Sequence, residues 1–254
     1  MSSTIVIKTV EEIAAIRRAG RLLAQVHEAL GKEVRAGITT GELNHMADRM
    51  IRDGGGIPTS LNYGDPPFPG SICTSIDDEV VHGIPDDDRV LEEGQIVSLD
   101  ITVGVDGWQA DAARTWPVGV VSEEKQQLMA TAESAFYAAM AFAHDGKRVG
   151  DVAHAVQQEA EGKGYGVIRE LCGHGIGREM HEAPEVPNYG RPGRGPRLRN
   201  GMVFCVEPMI TQGKRFIAIK EDEWTIVTRD GLPAAHYENT VAITPEGPEI
   251  LTIL

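Results

Sequence analysis

Over residues 97–103 the chain alternates apolar Val97, Leu99, Ile101 and Val103 with polar Ser98, Asp100 and Thr102. That is the period of a strand with two unlike faces. The run Gly104-Val105-Asp106-Gly107 is a turn signal, so the chain is expected to double back as a hairpin. Asp100 then lies on the polar face of the first arm, and Asp111 on the same face of the second, directly opposite or one diagonal step away. Two carboxylates that close repel unless a proton or a cation lies between them. Taken alone, the stretch is equally a hairpin with one wet face.

Helical spacing marks four other segments. Thr9 and Glu12 form a capping box, and Ile13, Ile16, Leu23, Val26 and Leu30 follow on one side, so a helix is expected to about Glu33. Thr39 and Glu42 form a second box, opening a helix with Leu43, Met46, Ala47 and Met50 inward and Gly54 at its end. Ser122 caps a third, with Leu128, Ala132, Phe136, Ala139 and Ala143 on one side. Gly150-Asp151 opens a fourth, with Val152, Val156 and Ala160. Strands are expected over residues 71–81 (broken by an acidic turn), 202–206, 221–228 and 235–244. Residues 58–70 and 180–200, rich in Pro and Gly, read as loops.

These elements repeat. Gly37, Gly41, Glu42, Leu43 and His45 correspond to Gly146, Gly150, Asp151, Val152 and His154 at an offset of 109. His82-Gly83-Ile84 corresponds to His174-Gly175-Ile176 at 92, and Leu91, Gly94 and Asp100 to Leu198, Gly201 and Glu207 at 107. Asp106-Gly107 has a partner in Asp230-Gly231, followed by Asp111 in one case and Glu238 in the other. The offset changes only across Pro/Gly-rich loops, where length is cheap. The expectation is a single domain, residues 1–254, of two similar halves at about 10–120 and 121–250. Their pseudo-twofold brings Asp100 near Glu207 and Asp111 near Glu238.

Composition narrows the chemistry. A net charge of -14 disfavours binding of the whole protein to DNA or to an anionic membrane. Three dispersed cysteines argue against a disulfide framework and for a reducing compartment, hence the cytoplasm. The start lacks the basic and long apolar segments of a signal peptide, and no apolar run approaches the ~20 residues of a membrane span. Asp100, Asp111, His174, Glu207 and Glu238 converge in this scheme. Four buried carboxylates without compensation would cost several kcal/mol each. Two divalent ions would neutralise them, and carboxylate oxygen with one imidazole suits Mn, Fe, Co or Zn. Such ions activate water and polarise carbonyls, which implies hydrolysis of an amide or ester.

The five contexts SLDIT, ADAART, GHGIG, VEPMI and YENTVAIT together resemble methionine aminopeptidase across essentially the whole chain. The resemblance implies the pita-bread fold, an α/β architecture in which helix-helix-strand-hairpin halves surround a shared curved antiparallel sheet. With Glu207 and Glu238 so near in sequence, it implies the short bacterial type I form. It implies a dinuclear centre on the five residues, with Glu207 also the base that takes a proton from water. His82 would lie beside the scissile amide, and His181 would donate to the carbonyl oxygen. Tyr63, Phe68, Cys73, Met180 and Trp224 would line the side-chain pocket. Phe68 stands where the family often has tyrosine, and Met180 where an aromatic residue is common. The implied reaction is removal of initiator methionine from nascent chains whose second residue is small, by a monomeric enzyme. Met1-Ser2 of this chain fits that rule. The basic run Arg191, Arg194, Arg197 and Arg199 is a candidate ribosome contact. The alternatives are a proline-directed peptidase of the same fold, which would carry a further N-terminal domain, and a non-catalytic binding module.

Overall fold

The computed structural model describes residues 4–254; the Met1-Ser2 start lies outside the described residues. The helices are α1 (Val10–Glu33), α2 (Thr40–Asp53), α3 (Glu123–Met140) and α4 (Val149–Gly162). The strands are β1 (Ile57–Pro58), β2 (Cys73–Ile76), β3 (Glu79–Val81), β4 (Ile96–Val105), β5 (Trp108–Pro117), β6 (Gly166–Val167), β7 (Cys172–Gly175) and β8 (Glu182–Pro187). They continue as β9 (Val203–Val206), β10 (Met209–Thr211), β11 (Ile217–Ile219), β12 (Ile226–Thr228), β13 (Ala234–His236), β14 (Asn239–Thr244) and β15 (Gly247–Ile250).

The capping signals set the helix starts. The Thr9 hydroxyl accepts from Glu12 N (3.3 Å) while the Glu12 carboxylate accepts from Thr9 N (2.9 Å). Thr39 and Glu42 do the same at 3.0 and 2.8 Å. Asp151 accepts from Arg148 N (2.8 Å) at the equivalent place before α4. Each exchange satisfies amide donors that a helix start otherwise leaves open.

β4 is the spine of the first sheet, with β5 on one edge and β1 and β2 sharing the other. β9 is central in the second, whose order is β15-β14-β9-β7-β8. Val97, Leu99, Ile101 and Val103 face Ile16, Leu23 and Leu43 of α1 and α2 in one core. Phe204, Val206, Val241 and Ile243 meet Phe136, Val152 and Val156 of α3 and α4 in another. The sheets join where β5 runs along the start of β14: Glu238 N donates to Ala113 O (2.9 Å) and Ala113 N to Glu238 O (3.4 Å). The helices cover the outer faces, so the polar faces turn inward. Ser98 and Thr102 are each 3% exposed, so of the two readings of this hairpin the wet face is excluded and the polar face is a buried floor. The turn is also tighter than expected. Asp106 (φ 52) and Gly107 (φ 74) alone make it, in the two-residue left-handed form that matches strand twist, and Gly104 and Val105 stay in β4.

The pseudo-twofold is written in hydrogen bonds. Gly37 N donates to Leu91 O (2.9 Å) and Leu91 N to Ile38 O (2.8 Å); Gly146 N donates to Leu198 O (3.0 Å) and Leu198 N to Lys147 O (2.8 Å). Gly94 N to Val118 O (2.9 Å) recurs as Gly201 N to Ile243 O (2.8 Å). Ser98 faces Thr115 as Cys205 faces Thr240, and Leu99 faces Arg114 as Val206 faces Asn239. This register pairs Asp100 with Glu207, as expected. It corrects the other match: Asp111 is equivalent to His236, and Ala113 to Glu238. Aligning acid with acid slips the second strand by two residues.

The two His-Gly-Ile words are not equivalent either. β7 pairs with β9 as β2 pairs with β4, so His174 matches Ser75. The words look alike because both glycines press on a neighbouring backbone. A Cβ on Gly83 would meet Thr74 O at 2.2 Å, and one on Gly175 would meet Ala183 O at 2.1 Å. Residues 180–200 are not all loop: β8 forms the edge of the second sheet, where prolines are tolerated.

Candidate metal centre and substrate cavity

A cavity of about 280 Å³ opens where the two sheets meet. All five expected ligands line it: Asp100 from β4, Asp111 from β5, His174 from β7, and Glu207 and Glu238 at the strand ends beside them. Asp100 and Asp111 stand one diagonal step apart, because Asp111 faces Thr102 and Asp100 faces Ala113. His174 Nδ1 sits 3.0 Å from the Gly175 carbonyl oxygen, to which it donates. Its Nε2 is thereby left as the acceptor, 3.8 Å from Asp111 Oδ2 and 3.8 Å from Glu207 Oε1. A backbone carbonyl that fixes a ring in this way is what metal-binding histidines ordinarily have.

Negative charge is concentrated here, with the Arg114 guanidinium a minor offset at Glu238. Burial raises the Asp111 carboxyl well above its ordinary value, and Glu238 and Asp100 push it further. Burial raises Glu207, with Asp100 and Asp111 adding to it, and raises Glu238, with Glu207 and Asp100 adding to it. Asp100 is raised too, through burial. The histidines shift the other way: burial, then His181, lowers His174 to about 3 and His82 to about 4. Asp111 Oδ1 and Glu238 Oε1 are buried with no hydrogen-bond partner. Neutral imidazole nitrogen beside converging carboxylate oxygens fits a hard-to-borderline divalent cation on both charge and donor chemistry.

Cys205 was not expected here. Its sulfur shares a 4.8 Å group with ligand atoms of Asp111, His174 and Glu238. It does not line the cavity, and its thiol contacts Thr240 Oγ1 at 3.7 Å. Burial first, and then the neighbouring carboxylates, raise its pKa well above the ordinary thiol value. It packs behind the carboxylates.

Around this floor stand the remaining expected residues. His181 lies against His174 with ring centroids 4.2 Å apart, and its Nδ1 is 2.6 Å from the Tyr63 hydroxyl. With Tyr63 donating, the neutral ring carries its proton on Nε2. His82 holds a left-handed backbone (φ 59), a strained conformation that functional positions often keep. Its ring meets Trp224 edge-on at 6.0 Å, and Phe68 meets Trp224 at 5.2 Å. Phe68, Cys73 and Met180 are buried, and Tyr63 is exposed at the rim. Every expected pocket residue lines the cavity, with Leu171, Met209 and His236 in addition. Among these, His236 belongs to no motif of the sequence. Alternation in His236-Tyr237-Glu238 would have placed it on the same face as Glu238. A wider surface groove beside α4, lined by Val149, Pro184 and Tyr189, contains none of these groups.

The chain matches the model of metallopeptidase family M24 over residues 14–245. It is 48% identical over 249 residues to a methionine aminopeptidase of Clostridium acetobutylicum, covering 98% of this chain and 99% of that one. It is 43% identical over 248 residues to methionine aminopeptidase 1 of Bacillus subtilis, with 98% and 99% covered. The crystal structure of methionine aminopeptidase from Rickettsia prowazekii superimposes with a TM-score of 0.96 at 39% identity, covering 98% and 100%. That from Thermotoga maritima gives 0.96 at 38%, covering 99% and 100%. A prolidase from Pyrococcus furiosus, at 0.77 and 23% identity over 98% of this chain and 66% of its own, shares the fold alone.

Proposed function

The chain belongs to metallopeptidase family M24 and is a metal-dependent hydrolase with the pita-bread fold, and from that premise we propose that it removes N-terminal methionine from nascent polypeptides in the cytoplasm. The observation that carries this is a floor of four carboxylates and an imidazole, sunk at the end of an apolar cavity that two further histidines overlook. Asp100, Asp111, His174, Glu207 and Glu238 would hold two divalent ions, Mn, Fe, Co or Zn. When bound, such ions polarise a substrate carbonyl and lower the pKa of nearby water toward ~7.

The chain's own groups do the rest. Glu207 takes a proton from water. His181, donating through Nε2, stabilises the oxyanion as it forms. His82 stands beside the leaving nitrogen. Phe68, Cys73, Met180 and Trp224 receive an unbranched thioether. Limited space beyond the scissile bond restricts the second residue to small side chains. The protein acts as a monomer. The deciding assay compares Met-Ala-Ser with a Xaa-Pro dipeptide after manganese or cobalt is added. Rapid release of methionine is expected; faster cleavage of the proline substrate, or no turnover of either, overturns the proposal.

Delivery of substrate suggests a role for the basic loop. Arg191, Arg194, Arg197 and Arg199 are all exposed, and the arginine ion pairs among the described residues engage other positions. The loop is pinned to the start of α4 by Gly150 N to Arg194 O (2.9 Å) and Arg148 Nη1 to Gly195 O (2.8 Å). We propose that it contacts ribosomal RNA. Reversing the four charges is expected to abolish salt-sensitive co-sedimentation with ribosomes and leave tripeptide turnover unchanged. Unaltered co-sedimentation removes the idea.

A further inference from the structure

His236 is 1% exposed, and neither of its ring nitrogens has a hydrogen-bond partner. Its Nε2 lies 3.7 Å from Glu238 Oε2 and 3.9 Å from Glu207 Oε2. One ring nitrogen, one Asp100 oxygen and one Glu238 oxygen lie within 4.8 Å of one another. An imidazole buried this deeply with two unmet nitrogens is costly, so its position demands an occupant for at least one of them.

The fold gives a second, independent argument. The Thr240 hydroxyl accepts from Asp111 N (2.9 Å) and donates to Asp111 O (2.9 Å). The Thr115 hydroxyl accepts from His236 N (3.0 Å) and donates to His236 O (2.9 Å). The same frame therefore aims Asp111 into the cluster from one half and His236 into it from the other. Asp111 groups with His174 and Glu238; His236 groups with Asp100 and Glu238.

We propose that His236 is a sixth metal ligand, binding through Nε2 the divalent ion held by Asp100 and Glu238. Each of two ions then has its own imidazole, His174 for one and His236 for the other. A second nitrogen donor turns an otherwise all-oxygen site away from Mg and Ca and toward Mn, Fe, Co or Zn. The inference rests on the metal-centre reading above. The rival role is a hydrogen bond from the His236 ring to Glu207, with no bond to metal.

Cobalt distinguishes them. Metal-free full-length protein is titrated with Co(II) by calorimetry, and the proton spectrum of the loaded form is recorded in water. Two equivalents and two hyperfine-shifted, exchangeable imidazole N–H resonances are expected. H236Q should keep one equivalent at unchanged affinity, bind the second roughly tenfold or more weakly, and lose one resonance. H174Q should lose the other resonance. H236Q binding both equivalents like the parent overturns the inference. So does a single shifted resonance in the two-cobalt parent, which decides the matter even if the variants fail to fold. A parent protein that takes up no cobalt removes the metal-centre reading instead.

Discussion

In the first half, Asp100 and Asp111 project from adjacent arms of one tight hairpin. In the second, Glu207 and His236 occupy the equivalent places on segments that β10, β11 and β12 separate in the chain. The backbone frames agree down to single hydroxyl bridges, yet the side chains share only one acid pair. The lesson is that register and backbone hydrogen bonding fix where a group stands. A single side chain then decides what it does there. Ser98 and Thr115 lie 2.8 Å apart as a hydroxyl pair, and their counterparts Cys205 and Thr240 meet at 3.7 Å through sulfur.

The sharpest way to break this comparison is to treat Asp100 and Glu207 alike. Asp100→Asn is expected to lower the metal content of the purified protein. Glu207→Gln is expected to lower metal content as well, and in addition to lower kcat per bound metal by about 10²–10⁴-fold, the worth of a positioned base. Wild-type kcat per bound metal in Glu207→Gln would mean that the equivalent positions differ in name only.

A smaller effect tests the charge that both halves bring together. Asp111, Glu207 and Glu238 are raised by burial first and by their carboxylate neighbours second, so the folded state holds their protons more tightly than the unfolded chain. Without a cation, that contribution is favourable below about pH 4 and is lost as pH rises through the folded values. Manganese at about 100 times its dissociation constant should then add about 2.7 kcal/mol per occupied site near neutrality. The rise in Tm should be larger at pH 8 than at pH 5, where protons compete for the oxygens. An equal rise at both values would show that the ion does not bind at these carboxylates.

The smallest effect concerns the bridging hydroxyls. Thr115→Val and Thr240→Val each strand a buried amide, at an expected cost of about 1–3 kcal/mol in urea unfolding. If the frames are equivalent, the two losses match. A large loss in one and none in the other would confine the symmetry to appearance.

Much of this was legible in the sequence, where the physics is local. The capping boxes at Thr9 and Thr39 set helix starts, and alternation in residues 97–103 set both the strand and the placement of Asp100. What escaped depended on distant contacts. β8 carries Pro184 and Pro187, which argue against a strand until an edge position makes them harmless. Residues 235–244 read as one strand but break at Tyr237-Glu238, between β13 and β14. His236 escaped because the second-strand offset was set by matching acids, whereas the true offset shows only in the pairing of β9 with β14. Chemical likeness misled where register would have been decisive.

The reciprocal bonds between Ala113 and Glu238 set a residue against its own counterpart. A chain made of two identical copies would place the same side chain on both sides of that axis. Two glutamates there would crowd and repel; two alanines would leave no shared oxygen at the centre. Perfect internal symmetry is thus incompatible with a single central carboxylate, and the small methyl group of Ala113 stands opposite the one glutamate whose oxygens group with residues of both halves.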